Sequence, residues 1–131
     1  MKPIYIKKLL ISEINKVASE PHNYCTNPDT DFTRNRKLSM EKMLQGIIGM
    51  ESKSLTNELL DLFDASAETP SASAFIQQRD KIRPIAFESI FKNFSKKLMN
   101  SFDNDIPVFA IDGSDIQIPT NPTDTESYIA G

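Results

Sequence analysis

A serine stands just ahead of three stretches in which apolar residues return every three or four positions. That repeated pairing commits the chain to helices packed on one another, because a serine hydroxyl can accept from an otherwise unpaired N–H of the first turn. Ser39 precedes Met40, Met43, Leu44, Ile47 and Ile48, with Glu41 in the first turn where a negative charge suits the helix dipole. Ser54 precedes Leu55, Leu59, Leu62 and Phe63. Ser71 or Ser73 precedes Phe75, Ile76, Arg79 and Ile82, in a helix that must end or bend before Pro84. Residues 4–18 carry a further stripe of Ile6, Leu10, Ile14 and Val17, and Pro84 suits the first turn of a fifth helix burying Phe87, Ile90, Phe91, Phe94 and Leu98. Gly46 and Gly49 each weaken the second helix by about 1 kcal/mol relative to alanine, which predicts close approach of another helix. Five such helices can close one core.

The connections carry different chemistry. Glu20 to Thr30 holds two prolines and two asparagines and reads as a loop, leading into the basic stretch Phe32-Thr-Arg-Asn-Arg-Lys37. After Asn100 the periodicity changes. Val108 to Ile111 is a short apolar run, Ile116 and Ile118 alternate with polar residues, and Asp-Gly-Ser between them predicts a β-hairpin. Asp112 would close the first strand, and on the residues alone it is a turn aspartate. Asp115 reads as an exposed strand residue. The expected organisation is a helical region over residues 1–100 and a separate hairpin segment over 101–131.

Charge narrows the function classes. The net charge of −3 divides into zero over residues 1–31, +3 over 32–100 and −6 over 101–131. Within the basic middle, Arg34, Arg36 and Lys37 form one candidate nucleic-acid contact, and Gln77, Gln78, Arg79, Lys81 and Arg83 form another. Lysine and arginine neutralise phosphates, and glutamine amides can read adenine edges. Composition alone favours a solvated helix face for both groups. Cys25 has no second cysteine to pair with, and with His22 it makes no zinc-site pattern, so neither receives a catalytic role. No apolar run approaches the roughly 20 residues that span a bilayer, and no cleavable signal is evident, so a cytoplasmic location without membrane contact is expected.

Several segments taken in order carry a resemblance: Phe32-Thr-Arg-Asn-Arg-Lys-Leu-Ser39, Met43-Leu-Gln-Gly-Ile-Ile-Gly-Met50, Ser54-Leu-Thr-Asn-Glu-Leu-Leu60, Pro70-Ser-Ala-Ser-Ala-Phe-Ile-Gln-Gln-Arg79, Lys81-Ile-Arg-Pro84, Ala110-Ile-Asp-Gly-Ser-Asp115 and Ile118-Pro-Thr-Asn-Pro122. From about Phe32 onward the chain resembles the N-terminal part of a bacterial insertion-sequence transposase of the DDE class, in the insertion-sequence-four-like group. The resemblance implies a helical region that binds the double-stranded terminal repeats of a transposon, followed by the first hairpin of an RNase H-like α/β catalytic domain. It implies that Asp112 is the first of three metal-binding acids. In the parent reaction, cleavage and strand transfer, Mg²⁺ ions would activate the attacking oxygen and stabilise the leaving one. The second aspartate and the glutamate of that pattern are not matched, and Asp115, Asp124 and Glu126 do not map onto them. The chain is therefore expected to be a truncated transposase, inactive as an enzyme by itself and holding no Mg²⁺ stably. Self-association, or association with an intact transposase, is the further partnership this reading admits. Two other classes stay open: a non-enzymatic DNA-binding module that inhibits an intact transposase, and a helical protein-interaction domain.

Overall fold

The serines do what their positions require. In a computed structural model, which describes residues 2–34 and 36–101, Ser39 Oγ accepts from the Lys42 N–H at 3.2 Å and opens α2, Met40–Gly49. Ser54 accepts from Asn57 at 3.4 Å at the start of α3, Leu55–Leu62, and Ser71 accepts from Ala74 at 3.2 Å at the start of α4, Ala72–Arg79. α1, Pro3–Ser19, begins on a proline in its first turn instead, and α5, Ile85–Asn100, follows directly on Pro84. Both prolines sit where the missing N–H has no helical partner to lose. The described residues are thus mainly helical, with five helices and no strand. The hairpin expected over Val108 to Ile118, and the RNase H-like domain it would begin, lie outside the described residues.

α2 is the hub. It packs against α1 on one side and against α3 and α4 on the other, while α5 packs chiefly against α1. The core is built from Ile14 and Val17 of α1, Met40, Met43 and Leu44 of α2, Leu59 of α3, Phe75 of α4, and Ala86 and Ile90 of α5, with Leu38 and Ile82 from the connections. Gly46 is where α3 comes close: a Cβ added there would stand 2.7 Å from Leu62 Cδ2. Gly49 differs from expectation, since a Cβ there meets nothing within 4 Å. It is the last residue of α2, past the point where α3 crosses.

Other residues also depart from expectation. Phe91, expected in the core, is 69% exposed, because among the described residues α5 packs chiefly against α1. Ile6 and Ile48 are likewise on the surface. Ile82 is buried but not helical: α4 stops at Arg79, and Ile82 pairs in an isolated antiparallel bridge with Cys25.

The end of α3 holds a strained turn. Asp64 and Ala65 adopt φ of 52° and 50°, letting the Asp64 N–H reach Asp61 O at 3.3 Å and the Ala65 N–H reach Leu60 O at 2.7 Å. This is the carbonyl-satisfying arrangement in which glycine is the usual occupant. A left-handed alanine costs about 1–2 kcal/mol, partly offset by the greater chain entropy a glycine loses on folding. Ala65→Gly is therefore expected to stabilise the fold by about 0.5–1 kcal/mol, read as a melting midpoint a few degrees higher. A lower midpoint would show that this turn carries no strain.

Candidate nucleic-acid interface

Two distant segments meet because of the bridge at Cys25. The Thr26 N–H donates to Lys81 O at 2.9 Å and the Arg83 N–H to Tyr24 O at 2.8 Å, so the long loop after α1 is fastened to the connection between α4 and α5. Downstream, the loop closes on itself. Buried Asp31 accepts from the Asn27 N–H at 2.8 Å through Oδ2, and its own N–H donates to Asn27 O at 2.8 Å. Phe32 then turns the chain with φ of 55°, an uncommon conformation for a bulky residue, and packs against the core. Leu38 is buried just before α2. Arg36 and Lys37, just before it, border a cleft shared with Ala74, Gln77 and Gln78 of α4.

The result is a pair of adjoining clefts of about 340 and 520 Å³. Arg36, Leu38, Gln78 and Lys81 line both. Arg34, Phe32 and Asp29 complete the narrower one, and Lys37 and Gln77 complete the wider one. Lys37 pairs with Glu68 at 3.0 Å, but both side chains are exposed and such a pair contributes about 0–1 kcal/mol, so it yields readily to a phosphate. Arg34, Arg36 and Lys81 make no ion pair among the described residues. Gln78 adds an anomaly: its Oε1 is buried and meets no hydrogen-bond donor among the described residues.

No protein-family model, curated protein or solved structure matches this chain. The site therefore rests on its own geometry. Of the eight residues expected to contact DNA, the fold gathers Arg34, Arg36, Lys37, Gln77, Gln78 and Lys81 around the two clefts. Arg79 and Arg83 line neither. Arg79 pairs with Asp80 at 3.2 Å on the surface, and the stretch from Lys81 to Arg83 is taken up by the bridge. Asp112 lies outside the described residues. Among those residues no group of three or more histidine, cysteine, aspartate or glutamate side chains could hold a metal ion, and no helix is long and apolar enough to cross a membrane.

Sequence reasoning passed over Asp29, Phe32, Leu38, Pro70 and Ala74 as cleft residues. Nothing in their spacing marks them, since each reaches the site through the Cys25–Ile82 bridge or the packing of α4. Cys25 itself is structural. Burial pushes its thiol up from the ordinary value, and the charge of Asp31 pushes the same way, so it stays protonated and unreactive.

Proposed function

We propose that this chain binds DNA through the face formed by Arg34, Arg36, Lys37, Gln77, Gln78 and Lys81, as the DNA-binding region of a DDE transposase acting on transposon ends. One observation carries the reading: two segments far apart in sequence, one bearing Arg34, Arg36 and Lys37 and the other Gln77, Gln78 and Lys81, line the same pair of clefts, with three cations lacking an ion pair among the described residues. Unpaired cations on a concave face are what counterion release at phosphates requires. A helix-turn-helix is not the frame for it. The stretch Phe63 to Ser71 between α3 and α4 exceeds the three or four residues of that turn. The metal-dependent chemistry proposed for Asp112 with Mg²⁺ belongs to the same reading, and no step of it rests on the described residues.

The test is the salt dependence of binding to a labelled duplex carrying the terminal repeats. Replacing Arg34, Arg36 and Lys81 together by alanine is expected to weaken binding and to flatten the salt slope by about 0.9 for each phosphate no longer neutralised. Arg79→Ala and Arg83→Ala should change little. Affinity indifferent to salt would favour a protein-interaction domain instead, a reading supported by the exposure of Ile4, Tyr5, Phe91 and Met99 on α1 and α5.

A further inference from the structure

We infer that the paired clefts take an unpaired nucleotide, so that the chain engages a single-stranded tail or frayed end in preference to an intact duplex. The inference rests on the DNA-binding reading and deepens it by naming the form of nucleic acid. Shape comes first. A base edge in a duplex groove is read by side chains that protrude, whereas Gln78 lines both clefts where they adjoin and its Oε1 is buried. A base released from its stack can enter such a recess, as in single-strand and extruded-base recognition generally. The cleft volumes of about 340 and 520 Å³ fall in the range of small-ligand sites, on the order of 300–1,000 Å³.

The lining has the chemistry of one nucleotide. Arg34, Arg36 and Lys81 can neutralise its phosphate, while Phe32 and Leu38 provide an apolar wall for the base. Asp29 is the one acid of the narrower cleft; it disfavours a second phosphate there and can accept from an exocyclic amino group. Gln78 is the independent sign. Its Oε1 has no donor among the described residues, and turning the amide into the cleft would let this acceptor meet a base N–H in place of water.

The experiment uses the full chain and three fluorescent probes of mixed sequence: a blunt duplex, the same duplex with a single-stranded tail, and the tail alone. The tailed duplex is expected to bind about five- to tenfold tighter than the blunt one, the low end of what one stacked base contributes. Gln78→Leu, which keeps the side chain's bulk and removes the unpartnered oxygen, should fold at least as well as the parent chain and lose that preference. Arg36→Ala should weaken binding to every probe. Equal binding of blunt and tailed duplexes by the parent chain, or an unchanged preference in a folded Gln78→Leu, overturns the inference while leaving DNA binding intact. Failure to bind any probe overturns both.

Discussion

Replacing Lys16 and Lys97 together by methionine is expected to destabilise the fold by about 3 kcal/mol at neutral pH and to reverse the sign of its acid response. Glu13 faces inward from α1 and is only 2% exposed, yet it is ionised because Lys16 Nζ lies 3.0 Å and Lys97 Nζ 2.5 Å from its Oε1. Burial pushes the carboxyl up; the hydrogen bonds and charges of Lys97 and Lys16 outweigh it and hold Glu13 below its ordinary value of 4.5. With both ammonium groups gone the carboxyl must stay charged in the core or take up a proton. Taking up a proton at pH 7 costs about 1.36 kcal/mol per unit counted from 4.5, or roughly 3.4 kcal/mol, to which the loss of the stabilisation by the lysines adds. Removing partners from a buried charge typically costs about 3–5 kcal/mol, so the two figures agree.

The acid response follows from the direction of the shift. In the parent chain a lowered folded value means that Glu13 contributes stability above pH 4.5, lost as pH falls through that lowered value. In the double variant burial acts alone and the folded value is raised. Glu13 then contributes stability below pH 4.5 and loses it as pH rises. Urea melts between neutral pH and about pH 3 separate the cases. A variant whose stability relative to the parent does not recover on acidification would mean that Glu13 is not what the two lysines hold.

Glu13 also shows where sequence reading stopped. Its place beside Ile14 and Val17 in the α1 stripe is visible, but a glutamate at that register looks like the edge of the polar face until Lys97, far along the chain, is known to reach it. Glu58 is similar: its Oε1 accepts from the Glu51 and Lys53 N–H groups at 2.9 and 3.1 Å, tying down the connection from α2 to α3. Local signals were legible because their causes are local. The three serine caps needed only neighbouring residues, whereas close approach, expected at Gly46 and Gly49 alike, occurs only at Gly46, where α3 comes near. Periodicity, however, reports which face of α5 is apolar and not how many helices cover it, so it could not tell buried Ile90 from exposed Phe91. The candidate site divides the same way. Residue type singled out Arg34, Arg36, Lys37, Gln77, Gln78 and Lys81, while their meeting depends on the non-local Cys25–Ile82 bridge.

Phe75→Ala is expected to cost about 3–5 kcal/mol and to lower the melting midpoint by roughly 10–30 °C. Phe75 is 1% exposed, and its Cε2 would lie 3.7 Å from a Cβ on Gly46, so its ring fills the space that the small α2 residue leaves open. α4 is only eight residues long and has little helical stability of its own. Its position comes from this buried ring packed against α2 and α3. Small domains hold about 5–15 kcal/mol in total, so a loss of that size leaves the fold marginal. The consequence reaches the clefts, because α4 carries Gln77 and Gln78. Nucleic-acid affinity of Phe75→Ala should fall together with its helical signal as temperature rises and recover when the chain refolds on cooling. Gln78→Leu, by contrast, should keep its helical signal across the same temperatures while losing the discrimination between tailed and blunt duplexes. A Phe75→Ala chain that melts like the parent would mean that α4 is not anchored by its buried ring, and the placement of Gln77 and Gln78 over the clefts would need another cause.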